Sequence, residues 1–99
     1  MKKLFRTLSS LDDIVTIGGC QAPGYFSVKL QTKEVILGGS LVNVSDYLDE
    51  RFIRISRTLI VNRNHVVSFD ESRINLSSGE SVMPSRRRVK VVLESLLGK

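Results

Sequence analysis

One cysteine, one histidine, two prolines and no tryptophan occur in the 99 residues. With Cys20 alone there is no internal disulfide, which suits a reducing cytoplasmic setting. With His65 and Cys20 each the sole member of its kind, a metal site built on several such ligands is excluded and no nucleophile–base constellation emerges. We therefore expect no metal, no cofactor and no enzyme activity. The glycine pairs Gly18-Gly19 and Gly38-Gly39 do not extend into a phosphate-cradling G-x-G-x-x-G or G-x-x-x-x-G-K pattern. Long apolar runs are also missing: Thr58-Leu59-Ile60-Val61 falls far short of the roughly 20 residues that span a bilayer, so no membrane contact is expected. The start of the chain has the basic opening of an export signal, but Arg6, Ser9-Ser10 and Asp12-Asp13 interrupt it, and it reads as mature chain. Six aromatics, most at core-phase positions, leave little for the stacking platforms of a single-strand binder. The acidic pairs Asp12-Asp13 and Asp49-Glu50 are adjacent residues whose side chains diverge, and they read as solvated.

What is present is the composition of one ordered domain, 41% hydrophobic and 25% charged. The net charge of +5 is unevenly spread. Residues 1–50 carry five Lys and Arg against six Asp and Glu, whereas residues 51–99 carry ten against four. The basic half attracts nucleic acid, anionic lipid or an acidic protein, and charge alone does not choose among them.

The stretch from Arg51 to Val67 organises the rest. Ile53, Ile55, Leu59 and Val61 share one phase of a period-two alternation, with Arg54, Ser56, Thr58 and Asn62 in the other. Arg57 falls in the apolar phase, where an unpaired guanidinium would cost several kcal/mol, on the order of other buried charges. A turn or bulge near Ser56 and Thr58 would lift it out of the core and aim it outward. Its target is then an anionic partner, unless it reaches water or a carboxylate of its own chain.

Lys2 to Leu8 is an arm or a short strand. Ile14–Ile17 is β-rich and ends in a loop, Gly18 to Gly24, longer than most hairpin connections; it is a working surface or a merely variable one. Tyr25 leads into a half-buried strand with Phe26, Val28 and Leu30 inward, which turns at Thr32-Lys33 into Glu34–Leu37. Ser40 is a plausible cap for a short helix over residues 41–49 carrying Leu41, Val44 and Leu48 on one side. After Asn62-Arg63-Asn64, three short strands near residues 65–69, 73–76 and 80–83 form a meander. Pro84-Ser85 then opens a helix over about 85–97 with Val89, Val92, Leu93 and Leu96 as its stripe and Gly98 as its stop. That helix would begin with Arg86-Arg87-Arg88, the charge its positive end disfavours. An anion bridging the arginines would reverse the sign of the interaction; otherwise they are solvated and screened by salt.

Together these segments resemble the LytTR DNA-binding domain of bacterial transcription regulators. The residues that carry the likeness are Phe52-Ile53-Arg54-Ile55-Ser56-Arg57-Thr58-Leu59-Ile60-Val61-Asn62, Ile14-Val15-Thr16-Ile17 before a loop, Gly38-Gly39-Ser40-Leu41 before the small helix, and Met83-Pro84-Ser85-Arg86-Arg87. The resemblance implies a mainly β, elongated domain of small antiparallel sheets with two short helices over residues 14–99, preceded by an arm at 1–13. It implies a cytoplasmic, sequence-specific, double-stranded DNA-binding transcription regulator that reads successive major grooves. The contacts it implies are the first-loop region Gln21 to Tyr25, with Gly24 in it, then Arg57 and Arg87; Ser56, Thr58, Arg63, Arg86 and Arg88 are expected beside them at the DNA. Arg57 and Arg87 are the expected base readers, with Lys29, Arg54, Arg63, Arg86, Arg88 and Lys90 on the backbone or solvated. Half a dozen phosphate contacts would give a log–log salt slope of about −5. Ser56 stands where the family usually has histidine, and Pro23-Gly24 where some members place a basic side chain. A direct-repeat site is expected, with a homodimer forming on DNA. The alternative is a protein-interaction module that pairs with another regulator and inhibits it.

Overall fold

Apolar residues that alternate in short runs, broken by glycine and polar turns, give many short strands and little helix. The computed structural model describes residues 11–98; the arm or strand expected at Lys2 to Leu8 lies outside them. A 3₁₀ turn at Leu11–Asp13 leads into β1 (Ile14–Gly19), β2 (Tyr25–Leu30), β3 (Glu34–Gly38), α1 (Leu41–Ser45), β4 (Phe52–Ser56) and β5 (Leu59–Asn62). A second 3₁₀ turn, Arg63–His65, precedes β6 (Val66–Phe69), β7 (Ile74–Leu76), β8 (Ser81–Val82) and α2 (Val89–Leu96). Strands β3-β2-β1-β5-β4 form one antiparallel sheet in that order and β6-β7-β8 a second, the expected meander. The extents, 34 × 26 × 23 Å, describe a moderately elongated domain.

The five-stranded sheet is buried on both faces. Ile17 and Ile60 are cross-strand partners and share a cluster with Ile14, Phe26, Val28 and Val44 of α1. Val61, one residue further along β5, points to the opposite face and joins Val15, Ile53, Ile55, Ile74, Leu76 and Val92 of α2. Burial on both sides explains why Leu59-Ile60-Val61 reads as a continuous apolar run. It also corrects the expected phase: Asn62 does not face water but is fully buried. Its Nδ2 donates to the Ile14 carbonyl at 2.9 Å and to Asp12 Oδ1 at 3.1 Å, and its Oδ1 accepts the Asn64 amide at 2.9 Å. A buried amide so satisfied carries little penalty.

Both helices are shorter than their sequence pattern. α1 stops at Ser45 rather than 49, because Asn43, Ser45 and Asp46 are weak helix formers and the chain tightens into three-residue turns, Tyr47 N to Val44 O and Leu48 N to Ser45 O. α2 starts at Val89 rather than 85 and ends at Leu96.

Polar bonds set the second sheet against the first. Lys29 Nζ lies 2.9 Å from Glu80 Oε2, and Gln31 Nε2 donates to Ser77 Oγ at 2.7 Å. His65 takes a structural place between them: its Nε2 donates to the Asp12 carbonyl at 2.6 Å, and its Nδ1 lies 2.7 Å from Ser77 Oγ. Asp12 is the other node. Its Oδ1 accepts from Asn64 Nδ2 at 3.0 Å, Asn62 Nδ2 at 3.1 Å and Arg51 Nη1 at 3.2 Å. The Asn64 and Asn62 bonds, and the Arg51 charge after them, hold this carboxyl below the ordinary aspartate value of 3.8. The folded chain thus binds the Asp12 proton less tightly than the unfolded chain. The stability Asp12 contributes is present above 3.8 and lost as pH falls through the folded value. Asp12→Ala should lower the melting temperature at pH 7, and the gap from the unsubstituted protein, followed by circular dichroism at stepped pH, should narrow below 3.8.

Candidate nucleic-acid interface

The site is built outward from the end of β4. Pairing runs from Arg54↔Ile60 to Ser56↔Leu59, which leaves Ile55 as an extra residue on its strand. Such a bulge bends the strand and raises its twist. Arg57 and Thr58 follow as the two-residue connection to β5, and both are exposed. The out-of-phase arginine is indeed at a turn.

Bonds from several directions hold that turn. Arg54 donates from Nε to the Ser56 carbonyl at 3.2 Å and from Nη2 to the Arg57 carbonyl at 2.5 Å. Ser56 Oγ accepts the Thr58 amide at 3.3 Å, so the serine at the family's histidine position shapes the turn from within. Gly19 donates its amide to the Thr58 carbonyl at 2.8 Å, where β1 passes alongside. Glycine suits that passage: a Cβ on Gly18 would stand 3.3 Å from Leu59 Cδ1 and 3.4 Å from the Thr58 oxygen.

The Gly19 bond sets the β1–β2 loop at the same end of the sheet. Gln21, Gly24 and Tyr25 are all exposed there. Gly24 takes φ +83°, a left-handed conformation suited to glycine, and its carbonyl accepts the Gly39 amide at 2.8 Å. Tyr25 pairs with Gly38 and leaves about half its surface open.

A third segment arrives from β8. Ser85 donates its amide to the Ile55 carbonyl, at the bulge, at 2.8 Å. Because that amide is committed to β4, residues Ser85 to Arg88 form a separate turn closed by Arg88 N to Ser85 O at 3.0 Å. Arg86 and Arg87 therefore precede the helix, correcting their expected place in its first turn. Arg88 is its N-cap residue and makes no side-chain cap.

Ser56, Arg57, Thr58, Ser85, Arg86, Arg87 and Arg88 line one cleft of about 500 Å³. All four of its arginines are exposed, and the ion pairs among the described residues involve only Lys29 and Arg51 as cations. Four guanidiniums around one cleft repel each other, and a polyanion laid across them turns that repulsion into attraction.

The family model for the LytTr DNA-binding domain matches residues 6–97. The chain belongs to the LytTr DNA-binding domain family. A solved LytTR domain, from a methyl-accepting/DNA response regulator of Bacillus cereus, superposes with a TM-score of 0.71 at 22% identity, covering 89% of this chain and 84% of that one. At that identity the likeness concerns the fold. No match was found among curated proteins. LytTR membership implies a DNA-binding regulatory role.

Not every residue expected at a LytTR interface joins this cleft. Arg63 follows the far end of β5, roughly 15 Å along the strand from Thr58. It donates from Nη2 to the Ser95 carbonyl at 3.0 Å, capping the last turn of α2, and lines a different cleft with Asp12, Asp49, Glu50 and Arg51. Lys29 is paired with Glu80. Conversely, no signal in the sequence marked Arg54 or the backbone of Ser85 as builders of the site. Both act through carbonyls, which every residue has. Arg63→Ala should destabilise the domain by about 1 kcal/mol, the scale of a charged donor at a helix carboxyl end. In a gel-shift titration it should leave duplex affinity unchanged, whereas a loss of affinity without a drop in melting temperature would return Arg63 to the interface.

Proposed function

We propose that this domain is a sequence-specific double-stranded DNA binder acting in transcription regulation, reading major-groove bases through Arg57 and Arg87. The observation that carries the reading is the shared cleft in which these two arginines, with Arg86 and Arg88, stand exposed and without a carboxylate among the described residues. A guanidinium fork matches guanine O6 and N7, and each such pair is worth roughly 1–3 kcal/mol of discrimination. The loop with Gln21, Gly24 and Tyr25 supplies a third contact from the same end of the sheet. Ser56 and Thr58 flank the turn, while Arg86, Arg88 and Lys90 meet phosphates and fix the register. One domain of this size covers a short site, which favours two copies on a direct repeat, paired through the DNA.

The cations available for phosphates are fewer than the sequence suggests. Lys29, Arg54 and Arg63 have partners within the fold. Three phosphate contacts, by Arg86, Arg88 and Lys90, give a log–log salt slope of about −3 rather than −5.

Selection of duplexes from a random pool at two salt concentrations tests this. Arg57→Ala should flatten the preference at one base position. Lys90→Ala should weaken all sequences alike and reduce the slope by about 1. Equal and small effects from both substitutions would defeat the division of roles. A salt-insensitive complex with another protein, and no bound duplex, would favour the inhibitory interaction module instead.

A further inference from the structure

Arg54 sits on β4 with its guanidinium folded back along its own chain, partly buried. Its two bonds go to the Ser56 and Arg57 carbonyls, and the next carbonyl, that of Thr58, accepts from Gly19. Three successive carbonyls around the exposed turn are thus all covered by donors from inside the domain.

We infer that Arg54 is a positioning residue for DNA recognition: it fixes the backbone from which the Arg57 side chain departs and covers two carbonyl oxygens that would otherwise face phosphate. The inference rests on the reading of Arg57 as a base reader. A planar guanidinium suits the task, because two donors at fixed separation and angle can hold two carbonyls at once. A lysine carries the same charge on a single rotating group and cannot hold both in register. The bulge at Ile55 adds to the need for a brace, since it takes a residue out of the β4–β5 ladder immediately before the turn. With the brace in place the turn is ordered before binding. Without it, that ordering is deferred to the moment of association, and affinity falls.

The test uses Arg54→Met, Arg54→Lys, Arg57→Ala and the double variant Arg54→Met/Arg57→Ala in the full chain. Each is read for affinity to the selected duplex, base preference, salt slope and melting temperature. Arg54→Met should lose roughly three- to tenfold in affinity, the cost of ordering one long side chain during binding. Its base preference should blur at the position that Arg57→Ala flattens and nowhere else, with the salt slope unchanged. Arg54→Lys should behave like Arg54→Met although it keeps the charge, and it carries the test if the methionine variant melts too low to assay. The double variant should bind no more weakly than Arg57→Ala alone. A salt slope reduced by about 1, uniform weakening across sequences and a lysine variant equal to the unsubstituted protein would make Arg54 a phosphate contact and overturn the inference. So would additive losses in the double variant. If Arg57→Ala blunts base preference while Arg54→Met changes nothing, only the role of Arg54 fails. If Arg57→Ala leaves base preference intact, the reading of Arg57 itself fails.

Discussion

Two backbone hydrogen bonds, Gly19 N to Thr58 O and Ser85 N to Ile55 O, each 2.8 Å, tie segments far apart in the chain to one hairpin. Each bond is worth on the order of 1 kcal/mol net, which is little against the whole fold. Their geometric consequence is larger. The β1–β2 loop, the Arg57-Thr58 turn and the Ser85–Arg88 turn come to one end of the molecule as a single unit, because β4 and β5 serve as the common anchor. A surface assembled before binding spares the entropy of assembling it during binding.

The charges are sorted accordingly. Lys29, Arg51, Arg54 and Arg63 are each engaged within the fold: Lys29 bridges the two sheets, Arg51 meets Asp12 and Asp49, Arg54 braces the turn, and Arg63 caps α2. Arg57, Arg86, Arg87 and Arg88 line the other cleft instead. At the opposite end of the β4–β5 hairpin a cleft of about 570 Å³ mixes both signs, with Asp12, Asp49 and Glu50 beside Arg51 and Arg63.

Local patterns in the chain exposed much of this. The out-of-phase Arg57 announced a turn, the glycine and asparagine clusters marked the loops, and the alternation at Ile74 and Leu76 gave the meander. Patterns that depend on distant partners were silent. Asn62 looked outward-facing because nothing local reveals that Ile14 and Asp12, some fifty residues earlier, supply its acceptors. Ser85 looked like the start of the last helix because its commitment to Ile55 is a backbone bond across thirty positions. Arg63 and Arg54 looked like free surface cations for the same reason: a carbonyl acceptor carries no sequence signature, whereas a carboxylate does.

Amide hydrogen exchange at Gly19 and Ser85, in the free protein and with a bound duplex, addresses the preassembled surface most directly. Preassembly requires both amides to exchange as slowly as those of the β1–β5 ladder in the free protein. Adding duplex should then slow exchange in residues 20–25, 57–58 and 85–88 together. Gly19 and Ser85 exchanging as fast as open-loop amides, with each segment responding to duplex on its own, would contradict it.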